Sequence, residues 1–310
     1  IWSAYSMARS ADPDRQATRA VKACSAIGTP RHGNRDDGKI HGLGTQRQYE
    51  QIFRTAATWF NERYNVQLYH LTTEQAQTYL QERSVDIGQK QLNNEHRALQ
   101  MYLRIARKDE TLSIERARSE VPIIEKSRAY TDDQIRLVCS RQTDRLSLST
   151  RVADTAGLRA AELYTLRRLD ERAPSVHRSW SRDTYQGRDD WQRYTVVGKG
   201  GLVREVRLPS ELSQELEATR LTEPKMITDR GIHIQAQYDV IGGKSFSNLF
   251  SRTAQKAMGW SEGAHGLRHS YAQRRMATLQ VSAKSYQHAL GIVSQELGHF
   301  RPDITEVYLR

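Results

Sequence analysis

Apolar positions recur at helical spacing through most of this chain, and the polar residues between them mark where helices begin and end. Thr45 with Gln48 reads as a capping box ahead of Ile52, Ala56, Trp59 and Phe60, and Thr72 with Gln75 as a second ahead of Ala76, Tyr79 and Leu80. Leu92, Leu99, Tyr102, Leu103 and Ala106 mark the inner side of a third helix. This predicts a compact helical bundle over residues 45–107, whose outer faces carry Arg47, Arg54, Arg63, Arg83, Lys90, Arg97, Arg104 and Arg107. Upstream, Asp12 as cap, Pro13 at the first position, Ala17, Val21 and Cys24 on one face and Gly28 as stop predict one more helix. Thr29 to Gly44 reads as an extended loop, so residues 1–44 are expected to form a basic arm that either contacts a partner or is a solvated, disordered leader.

Residues 108–130 are charged, poorly periodic and contain Pro122, as an interdomain linker would be. A second domain, 131–310, opens at the capping box of Thr131 and Gln134, with Ile135 and Val138 inward. Leu146, Leu148, Val152 and Ala156 predict a helix stopping at Gly157, so that Arg159 begins the next one and Glu162 is placed to brace an arginine. Trp191–Val197 and Leu202–Leu208 are β-rich and flank Gly198-Lys199-Gly200-Gly201, a hairpin signal. A helix from Ser245 to Gly259 turns Leu249, Phe250, Thr253, Ala254 and Ala257 inward, and Tyr271, Ala272, Met276 and Leu279 continue the helical period. Ile292, Val293 and Leu297 precede a stop at Gly298, and Pro302 starts a last short helix. Glu171–Asp190 and Glu223–Gly243 lack a period and read as insertions without an assignable role. The class is mainly α with a small antiparallel β-sheet.

Charge narrows the partner. A formal net charge of +11, with 47 Lys and Arg distributed along all 310 residues, points to a polyanion, and nucleic acid is the best fit. Basic residues on the bundle surface are then expected to meet DNA phosphates. Cys24 and Cys139 are too few and too far apart for a disulfide framework or a zinc site, which suits a reducing cytoplasm. No apolar run reaches the length of a membrane span, and the first residues lack the blocks of a signal peptide. The first residue, Ile1, is not methionine, so neither end is expected to be native. Gly198–Gly201 is not a phosphate-binding P-loop, because it lacks the upstream glycine and the Lys-Ser/Thr pair.

The candidate chemistry collects near the end of the chain. His265 and Arg268 stand at i, i+3, His299 follows Leu297-Gly298, and Tyr308 comes nine residues later. With Arg159 and Lys199 upstream, the order is Arg, Lys, His-x-x-Arg, His, Tyr. Through Arg159-x-x-Glu162-Leu163, the Gly198–Gly201 run, His265-x-Leu267-Arg268-His269, Leu297-Gly298-His299 and the spacing to Tyr308, the chain resembles the tyrosine recombinases, or phage integrases. The resemblance covers roughly residues 131–310, and the helical region before it is more loosely similar to that family's DNA-clamping domain.

The resemblance implies a catalytic set of Arg159, Lys199, His265, Arg268, His299 and Tyr308, no cofactor and no metal. It also implies double-stranded DNA as partner, a homo-oligomer, specifically a tetramer, on that DNA, no membrane, DNA-bending accessory factors among further partners, and a cytoplasmic, nucleoid-associated location. The implied function is site-specific recombination or integration through a 3′-phosphotyrosyl intermediate. Two alternatives stand beside it: a type IB topoisomerase that relaxes supercoils, and a catalytically silent DNA-binding regulator. Chemically, Arg159 and Arg268 are suited to clamp phosphate oxygens, with His265 and His299 adding hydrogen-bond donors. His265 is also the candidate base for Tyr308, and resemblance makes Lys199 the acid. Only Leu309 and Arg310 follow Tyr308, so its segment is expected to be mobile, held mainly by Ile304 and Val307. Weak self-association without DNA follows from that, in a chain either truncated from a longer protein or assembled through other surfaces.

Overall fold

The computed structural model describes residues 12–27, 37–106, 111–119, 127–198, 200–282 and 285–310. Lys199, Arg107, Pro122, the Gly28 stop, the first half of the Thr29–Gly44 loop and the side chain of Ala106 lie outside the described residues. The chain divides into two compact units, Ile1–Ile124 and Glu125–Arg310.

In the first unit, α1 (Pro13–Cys24) is capped by Asp12, whose side chain accepts from the Asp14 N–H, and it buries Ala17, Ala20, Val21 and Cys24. It packs on α2 (Leu43–Tyr64), α3 (Thr73–Asp86) follows, and α4 (Gln89–Ala106) completes a bundle around Phe53, Phe60, Tyr79, Leu80 and Leu99. The Thr72–Gln75 box is present with both its hydrogen bonds. The box expected at Thr45 is not. α2 is capped three residues earlier, at Gly42, whose carbonyl already receives the Gln46 N–H, so Thr45 sits inside the first turn. Arg83, expected on the outer surface, instead grips the buried Glu95 through Nε and Nη2 at 3.0 Å each. An unpaired carboxylate in that core would be costly, and the arginine answers it. Arg54 pairs with Asp14 and Arg63 with Glu82, while Arg47, Lys90, Arg97 and Arg104 are exposed.

In the second unit, α5 (Asp132–Cys139) carries the Thr131–Gln134 box, and α6 (Asp144–Thr155) runs to Gly157. A 3-10 turn, Ala160–Thr165, leads into β1 (Arg167–Arg168), which pairs with β2 (Gln192–Val197); β2 pairs antiparallel with β3 (Val203–Leu208) in the register Val197↔Val203. After α7 (Ser210–Ala218) come β4 (Arg220–Asp229) and β5 (Ile232–Tyr238), a second antiparallel sheet where the sequence suggests an unassignable insertion. Pro224 falls in an irregularity of pairing between Arg220 and Lys225, which breaks the period-two pattern, and the turn uses Arg230 and Gly231, both at positive φ.

Helix α8 (Gly243–Met258) buries Phe246, Phe250 and Ala254 one turn apart; Leu249 is exposed, not inward, because it lies off that stripe. α9 (Gly266–Ser282), α10 (Tyr286–Glu296) and the short α11 (Pro302–Glu306) close the unit, sharing a cluster of Tyr271, Met276, Leu290, Val293 and Leu297 with Tyr308. Among the described residues, no helix is long and apolar enough to cross a membrane.

Candidate active site

Four segments of the second unit meet where α6 ends, and Gly157 makes the meeting possible. Its φ is +59°, and a β-carbon there would come within 2.7 Å of the Tyr271 ring, so only glycine fits. Its carbonyl accepts from Arg268 Nη1 at 2.5 Å and from Arg204 Nη2 at 3.3 Å. Two residues on, Arg159 caps the 3-10 turn, and Glu162 reaches back to its N–H at 2.9 Å and its Nη1 at 2.7 Å. The same buried carboxylate accepts from Arg204 Nη2 at 2.8 Å and lies 4.0 Å from Arg268 Nη1. Burial alone would raise Glu162, but Arg204, Arg268 and Arg159 together outweigh it and hold its carboxyl down at about 2. One carboxylate among three guanidiniums leaves surplus positive charge.

Arg268 is fully buried. Burial first, then the neighbouring Arg159, pull it down to about 9, which still leaves it a cation at neutral pH. Its Nε has no hydrogen-bond partner among the described residues, and its Nη2 donates to the Leu297 carbonyl and, at 3.0 Å, to His299 Nε2. An arginine only donates, so His299 carries its lone pair on Nε2 and its proton on Nδ1, facing Thr305 Oγ1 at 3.3 Å.

Tyr308 completes the group. Its hydroxyl lies 3.1 Å from His265 Nε2, and its ring centroid is 4.5 Å from that of His269 and 5.0 Å from that of His299. Arg268 Cζ stands 5.7 Å from the ring centre. Val307, expected to anchor this segment, is exposed; the buried Tyr308 is held by the three histidines, and the Gln273 amide donates to the Tyr308 and Arg310 carbonyls at 3.3 and 3.1 Å.

The structure thus brings Arg159, His265, Arg268, His299 and Tyr308 together. Lys199 lies outside the described residues; Gly198 before it stands beside the cluster, where a methyl group on it would come within 3.3 Å of Glu162 Oε1 and 3.8 Å of Arg159 Nη1. Sequence reasoning gave no role to Arg204 or His269. Arg204 had a signal, since it shares the apolar face of β3 with Val206 and Leu208, where a charge needs a buried partner. His269 stands one helical turn after His265.

The histidines tie stability to pH. Burial first, then guanidiniums, hold His265 and His269 down at about 4 and His299 at about 3; Arg268 is the foremost cation at His265 and His299, Arg128 at His269. The folded rings are therefore neutral where unfolded histidine, with a reference value of about 6.5, takes up protons. Their contribution is present above about pH 6.5 and is lost as pH falls toward about 4. Asp154, raised to about 6 by burial, opposes this with a single proton. Three histidines outweigh it, so the melting temperature is expected to fall on acidification from about pH 7 to about pH 4. A level melting temperature over that range would contradict the placement of these rings.

No family model and no curated protein matches the chain by sequence. Solved structures do match by fold. One is the XerH site-specific recombinase bound to palindromic difH substrate in a post-cleavage complex, at 13% identity and a TM-score of 0.55, covering 87% of this chain and 77% of that one. Another is a lambda integrase dimer bound to a COC′ core site, at 15% identity and a TM-score of 0.52, covering 87% and 73%. A third is the Tn1549 transposon integrase in complex with transposon right end DNA, at 15% and 0.52, covering 89% and 92%. The chain has the tyrosine recombinase fold.

Proposed function

We propose that this protein is a site-specific DNA recombinase that cuts and rejoins strands through a tyrosine-linked intermediate. The observation that carries the reading is Tyr308, its hydroxyl 3.1 Å from a neutral His265, facing a guanidinium cluster that holds more positive charge than its one carboxylate balances. A phosphodiester supplies the missing negative charge. As the phenolic oxygen bonds to phosphorus, charge builds on the non-bridging oxygens, and Arg159 and Arg268 are the donors preorganised to receive it. A phenol with a reference pKa of about 10 is a weak nucleophile at neutral pH, and His265 Nε2 is the acceptor for its proton. The P–O5′ bond breaks, leaving a 3′-phosphotyrosyl ester and a 5′-hydroxyl. Because the ester keeps the phosphodiester linkage, attack by a 5′-hydroxyl of another strand reverses the step and completes exchange. In this mechanism the cations that receive the charge are the side chains of Arg159 and Arg268.

In this reading the catalytic domain, 131–310, lies within the second unit, and the helical region 45–107, with α1 of the segment 1–44 packed into its core, clamps the duplex and is joined to it by the linker 108–130. The lambda integrase structure that is a tetramer bound to a Holliday junction, at 14% identity and a TM-score of 0.53, supports a tetramer on DNA for this chain too. The function is tested on a plasmid carrying two copies of the DNA flanking the gene. Exchange between the copies is expected; relaxation alone would identify a topoisomerase, and binding alone a regulator.

Lys199 is the general acid for the leaving 5′ oxygen in this mechanism. Sulfur at that bridging position makes a leaving group that needs no proton. Lys199→Ala is therefore expected to cleave the 5′-thio substrate at close to the wild-type rate while losing roughly a hundredfold or more on ordinary DNA. Equal loss on both substrates would assign Lys199 to binding.

A further inference from the structure

The stretch after β1 that reads in the sequence as a roleless insertion contacts both sides of the turn that presents His299, by hydrogen bonds before it and by ring packing after it. On one side, the Ser181 N–H donates to Gln295 Oε1 at 2.6 Å, and the Tyr185 N–H donates to Glu296 Oε1 at 2.8 Å. The Glu296 carboxylate is buried and also accepts from Arg275 Nε at 2.9 Å and from the Tyr271 hydroxyl at 2.8 Å, while Arg275 Nη2 donates to the Gln186 carbonyl at 2.9 Å. Glu296 in turn sets two acceptors of the site. Its own carbonyl receives Arg204 Nη1 at 2.7 Å, and the next one, of Leu297, receives Arg268 Nη2.

On the other side stands Phe300, the residue after His299, with φ at +54°. A side chain as bulky as phenylalanine disfavours that left-handed backbone, so the surroundings must hold it there. Its ring packs edge-on against Trp180 at 4.7 Å, with Arg178 Cζ 5.3 Å from its centre. Trp180 is itself fixed by Nε1 donating to the Ser175 carbonyl at 3.1 Å.

We propose that Ser175–Arg188 is a positioning clamp for the His299 turn, acting through Glu296 before it and Phe300 after it. The segment touches no reacting atom; it determines where His299 and the acceptors of Arg204 and Arg268 stand. The proposal rests on the reading of Arg268, which His299 and the Leu297 carbonyl hold in place, as a phosphate-binding group.

The test uses the full chain with Trp180→Ala and Trp180→Phe, on a nicked duplex that traps the covalent adduct. Misplacing groups by a fraction of an ångström slows chemistry, so Trp180→Ala is expected to form adduct roughly tenfold to a hundredfold more slowly in a single turnover. Its final yield and duplex binding should match the wild type, and Trp180→Phe, which keeps a ring against Phe300, should recover most of the rate. A wild-type rate in Trp180→Ala, a loss of yield without a loss of rate, or no recovery in Trp180→Phe would each overturn the clamp. A second readout needs no reaction. The His299 ring, labelled and titrated by NMR without DNA, should titrate at higher pH in Trp180→Ala than in the wild type, because a loosened turn admits water. An unchanged titration overturns the proposal. If the wild type formed no adduct at all, the reading of function would fall while this titration still decided the clamp.

Discussion

Tyr308→Phe is expected to bind duplex as the wild type does and to form no covalent adduct. The substitution removes one oxygen and leaves the ring among His265, His269 and His299, at centroid distances of 5.5, 4.5 and 5.0 Å. The fold loses one half-buried hydrogen bond, to His265, worth about 1 kcal/mol. Arg159 and Arg268, the groups assigned to phosphate, are untouched. Binding measured by fluorescence anisotropy should stay within about twofold while cleavage falls to background, since no other group in the described site offers a nucleophile. Residual adduct in this variant would move the nucleophile elsewhere.

The second large effect is expected at Glu162, which sequence reasoning placed near an arginine and the structure places among three. Glu162→Gln keeps the shape and removes the one negative charge shared by Arg159, Arg204 and Arg268. Breaking a buried pair by removing one partner typically costs about 3–5 kcal/mol, because the cations left behind are desolvated and uncompensated. For a unit of this size that corresponds to a melting temperature lower by roughly 6–20 °C. Cleavage should suffer as well, because the amide no longer fixes Arg159 and Arg268 against their mutual repulsion. Sulfate, an anion that could take the vacated charge, is expected to restore part of the stability while competing with DNA. A Glu162→Gln protein that melts within about 1 °C of the wild type would contradict the charge balance drawn for this site.

That Arg159, His265, Arg268, His299 and Tyr308 belong together was legible through the family resemblance that their order carries, and local signals set them at helix and turn boundaries. Gly157, Gly298 and Pro302 are such signals, and each lies where the sequence suggests. What was not legible depends on distant partners. Arg83 looks like a surface cation until Glu95, twelve residues on, is seen buried beside it. The stretch 171–190 has no period because its order comes from hydrogen bonds to Gln295, Glu296 and Arg275 rather than from an apolar face of its own. The β4–β5 hairpin was hidden by Pro224 and by a turn that uses Arg230 at φ +54°, a position where asparagine or glycine would have announced it. Thr45 misled in the other direction: a good capping residue does not cap when the helix already starts on Gly42.

The most direct measurement traps the wild-type adduct on a nicked duplex in excess chelator, digests it, and locates the nucleotide-linked peptide by mass spectrometry. The account predicts a 3′-phosphate ester on the hydroxyl of Tyr308 and a free 5′-hydroxyl on the released strand. An adduct on any other residue, a link to a 5′ phosphate, or cleavage that stops when metal is removed would contradict it.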